Sequence, residues 1–318
     1  RACASPAPHF ERCLFEGLSM TETVTFTAIA PDLLQVAGAH EIELRDLSRA
    51  VYTNRDLNLA DVKVVGFDMD YTLALYHQHE MDDLSIRKTV DKLVENVGYP
   101  EEIRSVKLDH DFIIRGLVVD KEKGNIFKMD GHRHVGRCYH GYRAVPDEEI
   151  KALYGTAPIK LSTDRYARVD TLFSLPETTL MAGIIEHYEG SGRELPWPYA
   201  KLADDIRMCI DEAHADNSLK AEILADVSKF VINDPDLGPT LHKLRSAGKR
   251  LFLLTNSEAY YTEAVMSYLL DGALPSYKSW KDYFDQIVVS GCKPAFFTDR
   301  QPFLELNGDG EPVGEATE

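Results

Sequence analysis

A chain of 318 residues, 44% of them hydrophobic, is long enough for one large folded unit or for a core carrying an inserted module. Its 35 Lys and Arg stand against 52 Asp and Glu, a formal charge of -17, which argues against nucleic acid as a partner and requires any anionic ligand to be met by local cations or a metal. No apolar run approaches the ~20 residues that span a bilayer, so no membrane partner is expected.

Taken from its start, residues 1–50 are expected to be an N-terminal extension and lead-in. The chain opens at Arg1 and its first methionine is Met20. Residues 1–19 carry Glu11 and Glu16 and no continuous apolar stretch, which fits a partial or leader-derived start better than a secretory signal. Cys3, Cys13, Cys138, Cys209 and Cys292 are odd in number, scattered and never in a C-x-x-C arrangement. That pattern suits reduced thiols in a cytoplasmic protein, not a disulfide framework or a zinc site.

Residues 62–67, VKVVGF, are β-branched and apolar and predict a buried strand. Beyond them the texture changes. Residues 84–97 have helical spacing, and residues 112–119 and 125–129 predict a hairpin turning through DKEKGN. The stretch GHRHVGRCYHG, residues 131–141, reads as a further hairpin with solvated His132, His134 and His140, and the many tyrosines read as packing. In AKLADDIRMCIDEAHADNSLK, residues 200–220, Arg207, Asp211 and His214 fall at i, i+4 and i+7 on one helical face, which by itself describes an ion-paired solvent face. Residues 237–247 predict a helix closed by Gly248, residues 250–254, RLFLL, a strand, residues 258–270 a helix stopped by Gly272, and residues 286–289, QIVV, a last strand. This alternation predicts an α/β fold, a doubly wound (Rossmann-like), mostly parallel sheet built from residues 51–78 and 225–318, with residues 79–224 inserted as a large cap.

Ligands of open α/β sheets sit beyond the carboxyl ends of the strands, where FDMDYT places Asp68 and Asp70. One aspartate there is an ordinary turn residue. Two, at i and i+2 on an extended exit from a strand, can face one site, and a metal cation would relieve their repulsion. At the next strand end, LLTNS sets Thr255, Asn256 and Ser257 before a helix, where hydroxyls and N–H groups can hold phosphate oxygens or cap the helix. GCKPAFF supplies Lys293 after the last strand, an ammonium able to balance growing phosphoryl charge.

DMDYTL resembles the first motif of the haloacid dehalogenase superfamily of phosphotransferases. The resemblance implies that Asp68 is a nucleophile forming an aspartyl phosphate, that Asp70 is general acid and then base, and that Mg²⁺ is held by Asp68 and the main-chain carbonyl of Asp70. More narrowly, FDMDYTLALY, TLFSLPET, TNSEAYYT and KPAFF together resemble the cytosolic purine 5′-nucleotidase family, over about residues 52–297. That family removes phosphate from nucleoside 5′-monophosphates, notably the IMP and GMP type. The likeness implies that Phe173 stacks on the base and that Arg207, Asp211, His214 and Lys220 line the base pocket, groups chemically suited to purine N7, O6 and N1–H.

A fourth motif of the superfamily, an acidic G-D-x-x-x-x-D element that completes the Mg²⁺ shell, is missing after KPAFF. Gly308 and Asp309 sit in NGDG, which reads as a tight hairpin turn. The expectation is therefore weak metal binding by this chain. Two functions follow: a Mg²⁺-dependent purine nucleotidase, or a catalytically impaired nucleotide-binding or interaction protein on the same fold. Transfer of phosphate to an acceptor nucleoside is a variant of the first, and a homo-oligomer is compatible with either.

Overall fold

The structure is a computed structural model and describes residues 58–155, 157–300, 302–308 and 310–316. The expected N-terminal extension, its lead-in up to residue 57, and Asp309 lie outside the described residues. In chain order, strand β1 (Val64–Phe67) leads through a tight loop to β2 (Leu75–Tyr76) and helix α1 (Gln78–Lys92). Strands β3 (Leu117–Asp120), β4 (Asn125–Met129), β5 (Val135–His140) and β6 (Arg143–Ala144) precede α2 (Asp147–Tyr154) and β7 (Tyr166–Val169). Helices α3 (Leu175–Glu189), α4 (Tyr199–Ala215), α5 (Ser218–Ala225) and the single turn α6 (Val227–Phe230) follow. The chain then runs through β8 (Val231–Ile232), α7 (Leu237–Ser246), β9 (Arg250–Leu254), α8 (Ala259–Leu270), β10 (Gln286–Val288), β11 (Leu304–Leu306) and β12 (Pro312–Glu315).

The three predicted strands form one parallel sheet in the order β1-β9-β10, with Val64 opposite Arg250 and Gln286 opposite Phe252. β1 is not the buried strand expected: as an edge of this sheet it alternates exposed and half-buried residues, with Val64 49% exposed, and burial is concentrated in the central β9. The protein is thus mixed α/β with a parallel sheet. Gly66, opposite Phe252, leaves room for that ring: a Cβ there would lie 2.1 Å from Phe252 Cζ. Helices α7 and α8 end where glycine permits a left-handed backbone, at Gly248 (φ 75°) and Gly272 (φ 75°). Apolar residues of β9, α8 and the loop after β1 (Met69, Leu251, Leu253, Val265 and Met266 among them) bury together in one cluster.

Residues between β2 and β8 build a second sheet, antiparallel, in the order β6-β5-β4-β3-β7. The predicted hairpin is its centre, but β3 begins at Leu117, because Gly116 turns the chain (φ 90°) and gives its N–H to Val169 of β7. The helix expected over residues 84–97 starts earlier and changes pitch: α1 runs from Gln78, and Leu93–Val97 forms a π turn closed by Gly98. Its polar opening residues hid its start. Met81 and Leu84 of this helix pack in the parallel-sheet cluster, while Ile86, Val90 and Leu93 pack in a second one with α3 and α4. One helix therefore serves both cores.

The stretch 131–141 does not form a hairpin of its own: residues 131–134 turn the chain from β4 into the single strand β5, and His140 is not solvated. Its ring bonds Asn125 Oδ1 and Glu189 Oε2, each at 2.8 Å, because register places His140 opposite Asn125 with the end of α3 above it. His132 is exposed as expected. Strands β11 and β12 pair antiparallel, and between them the N–H of Gly310 donates to the carbonyl of Asn307. Among the described residues no helix is long and apolar enough to cross a membrane.

Asp82, on the buried side of α1, accepts a 2.7 Å hydrogen bond from Gln78 and faces His110, His79 and Asp83. Burial raises its carboxyl from the ordinary 3.8 to about 6, against the opposing pull of Gln78 and the histidines. The folded protein thus holds this proton more tightly than the unfolded chain, so the stability Asp82 contributes is full below about pH 4 and is lost as pH rises through about 6. Asp82→Asn should change unfolding free energy little near pH 4 and raise it by about 3 kcal/mol above pH 7, as read by urea denaturation at both pH values.

Candidate active site

Asp68 follows β1 directly, and its Oδ2 lies 2.6 Å from Lys293 Nζ. Its Oδ1 accepts the N–H of Met69 at 2.8 Å, and the carboxylate remains accessible, with 42% of the side chain exposed. Lys293 is held from several directions. Its ammonium also donates to the carbonyl of Leu254 at 2.9 Å, at the end of β9. The Asn256 side chain grips the lysine's own backbone, accepting its N–H at 2.6 Å and donating to its carbonyl at 3.1 Å. The loop that delivers Lys293 passes close to β9: a Cβ on Gly291 would meet Leu254 Cδ1 at 2.8 Å, and Ser290 and Cys292 on either side adopt left-handed backbone (φ 50° and 51°). Such conformations cost non-glycine residues energy, so the surrounding contacts must enforce this approach.

The loop after Asp68 folds around Met69, which is fully buried and whose carbonyl accepts the N–H groups of Thr72, Leu73 and Ala74. Tyr71 takes φ 56° there. The curl turns Asp70 inward, where Tyr76 donates to Oδ1 at 2.5 Å and Ser257 to Oδ2 at 2.8 Å. Burial raises the pKa of the Asp70 carboxyl, more than these two hydrogen bonds lower it; Asp68 adds to the rise and Lys220 opposes it. The Tyr76 hydroxyl is itself pushed well above its usual range by burial and by Asp70, so it stays a donor. A buried carboxyl with raised proton affinity, two residues from an accessible carboxylate beside an ammonium, is an arrangement that separates an acid from a nucleophile.

The predicted phosphate-binding trio is found at the end of β9, with its side chains engaged. Thr255 is fully buried and its Oγ1 accepts the N–H of Ser257 at 3.0 Å; the Asn256 amide holds Lys293 and the Ser257 hydroxyl holds Asp70. Of the predicted base-contacting residues, Phe173 meets the loop after Asp68, and Arg207, Asp211 and Lys220 lie around His214. The Phe173 ring, 45% exposed, stands edge-on to Tyr71 at 5.0 Å and to His214 at 6.5 Å. Arg207 bonds Asp211 at 3.1 Å and Glu177 at 3.2 Å, and Lys220 bonds Glu258 at 2.5 Å. His214 feels Lys220, Asp211, Arg207 and Asp70 together; burial and then Lys220 lower its pKa, leaving a neutral imidazole at pH 7.

Sequence reasoning missed Tyr76, Tyr261, Glu177 and Glu258. The tyrosines are not merely packing: Tyr76 grips Asp70 and lies 3.2 Å, hydroxyl to hydroxyl, from Tyr261. Glu177 lies in LPET and Glu258 and Tyr261 in SEAYYT, stretches already singled out, but their partners are far away in sequence. As to a metal, Asp68 and the main-chain carbonyl of Asp70 are hard oxygen donors of the kind Mg²⁺ takes, and with both carboxyl oxygens of Asp70 engaged the carbonyl is the atom it has to offer. Among the described residues, no group of three or more His, Cys, Asp or Glu could hold a metal.

The chain is 34% identical over 269 residues to a 5′-nucleotidase domain-containing protein of Dictyostelium discoideum, covering 82% of this chain and 44% of that protein. It is 33% identical over 273 residues to 5′-nucleotidase domain-containing protein 2 of Homo sapiens, covering 82% and 51%, and 33% identical to the protein of the same name from Rattus norvegicus, covering 82% and 48%. The chain spans about half the length of these curated relatives. The profile of the 5′ nucleotidase family matches residues 51–317, a span that takes in both aspartates, Lys293 and the whole stretch between them, and the chain belongs to that family.

Proposed function

We propose that this protein is a Mg²⁺-dependent phosphatase of purine nucleoside 5′-monophosphates, of the IMP and GMP type, working through an aspartyl phosphate. The observation that carries the reading is the division of labour after β1, with Asp68 open to solvent beside Lys293 and Asp70 turned into the protein between two hydroxyls. In this reading an Asp68 oxygen attacks phosphorus, the bond to the ribose O5′ breaks, and Asp70 gives that oxygen its proton. Water then attacks the phosphorus of the aspartyl phosphate while Asp70, now a carboxylate, takes a proton from that water; the bond from phosphorus to the Asp68 oxygen breaks, releasing phosphate and restoring Asp68 and the protonated Asp70. Lys293 offsets the charge on the phosphoryl oxygens and on the nucleophile, and the main-chain amides around Thr255, Asn256 and Ser257 receive phosphate oxygens. Asp68 and the Asp70 carbonyl would hold Mg²⁺, which when bound neutralises phosphoryl charge.

Phe173 supplies a face for the base, and Arg207, Asp211, His214 and Lys220 its polar edge. Their ion pairs with Glu177 and Glu258 support a site in which the cations are held ready in the absence of ligand. The fold we read as the haloacid dehalogenase type, with α7 and α8 flanking the parallel sheet and residues 79–224 as its cap. Phosphate release from IMP, GMP, AMP and a pyrimidine monophosphate, with Mg²⁺ and with EDTA, tests the reading. Release from IMP or GMP that EDTA abolishes is expected. Nucleotide binding without release would point instead to a binding protein on this fold.

A further inference from the structure

We infer that Tyr76 is a positioning residue for protonation of the leaving group. Its hydroxyl fixes the direction of the Asp70 carboxyl, so that losing it harms only substrates whose leaving oxygen needs a proton. The inference rests on the reading of Asp70 as the acid given above.

A carboxyl group on a short side chain swings about its last torsion unless both oxygens are held. Ser257 alone would leave Asp70 free to turn about a single hydrogen bond. Tyr76 supplies the second grip, on the other oxygen and from a different element of the fold. It is itself immobile. Its strand β2 pairs with β8, Tyr76 facing Val231; its ring lies 5.0 Å from Tyr71; and its hydroxyl lies 3.2 Å from that of Tyr261 on α8. Tyr76 is 6% exposed, and a phenylalanine would fill the same volume. Packing therefore accounts for the ring and leaves the hydroxyl without a structural reason other than Asp70 and Tyr261.

The test compares wild type and Tyr76→Phe on three phosphomonoesters: IMP, a simple alkyl phosphate and p-nitrophenyl phosphate. Breaking the first two releases an alkoxide that must be protonated, whereas p-nitrophenolate leaves without a proton. Because kcat/KM reports events up to cleavage of the ester bond, the later hydrolysis of the aspartyl phosphate does not enter. The expected result is a fall of about 10- to 100-fold in kcat/KM for IMP and the alkyl phosphate, within the range general acid catalysis contributes, and a change of no more than about twofold for p-nitrophenyl phosphate. An equal fall on all three, or none, overturns the inference.

Failure of the nucleotidase reading has a different signature: a wild type that cleaves the alkyl and aryl esters but not IMP leaves those two esters to decide the role of Tyr76, and a wild type that cleaves none of the three is the binding protein of the alternative reading, in which the direction of the Asp70 carboxyl decides it. Crystal structures of both proteins supply a readout that needs no turnover. Asp70 should keep its carboxyl direction in wild type and lose it in Tyr76→Phe, and an unchanged carboxyl in the variant overturns the inference.

Discussion

Asp68→Asn is expected to reduce phosphate release by at least about 10⁴-fold, the order seen when a covalent nucleophile is deleted, while leaving the fold and nucleotide binding in place. Asparagine matches the shape of aspartate but offers phosphorus no anionic oxygen. The substitution removes the carboxylate that Lys293 touches, yet the lysine keeps the Leu254 carbonyl and the Asn256 grip on its backbone. The lost ion pair is a partly exposed one, so stability should change by no more than about 1 kcal/mol. Phosphate release, a thermal melt and calorimetric titration with IMP separate these effects. A variant with more than about 1% of wild-type release would exclude Asp68 as an obligatory nucleophile.

Lys293→Met should lower kcat by about 10²- to 10³-fold, the usual consequence of removing one preorganised group that stabilises developing charge. Methionine keeps the length of the side chain and drops the ammonium, so the Leu254 carbonyl and Asp68 both lose their donor. Arginine is not expected to restore activity. The lysine nitrogen meets the Leu254 carbonyl and Asp68 from one point, a geometry that the planar fork of a guanidinium cannot copy. Single-turnover measurement of aspartyl phosphate formation, with IMP affinity measured in parallel, checks this result. A loss confined to affinity would move Lys293 from the reacting centre to ground-state binding.

The parallel strands were legible because each is a short apolar run ending in a polar cluster that stands out from it, although of the three only the central β9 is buried. Asp68, Thr255 and Lys293 could be placed for the same reason, since strand ends of one sheet meet. The antiparallel sheet was harder to read. Its centre, β3 and β4, carries a turn signal, but β7, YARV, is four residues of mixed character that pair with β3 only because Gly116 turns the chain toward it. Side-chain partners were harder still. Nothing near Ser257 in sequence says that its hydroxyl meets Asp70, and nothing near Asn256 says that its amide clasps the backbone of Lys293. Such contacts arise from how loops stack above a sheet, which local pattern does not encode.

The pairing of β1 with β9 has a consequence for how the chain reaches this structure. β1 leaves the ribosome before its partner in the sheet, which follows only after the second sheet and helices α1 to α7 have been made. Contacts so far apart in sequence carry a large loop-closure entropy and slow folding, whereas the hairpins β3-β4 and β4-β5 between them join neighbours in sequence. Order of synthesis and order of assembly are therefore opposed: the residues that carry Asp68 emerge well before the strand that encloses them. Until β9 arrives, VVGF is an unpaired apolar edge, the kind of segment that chaperones shield during translation.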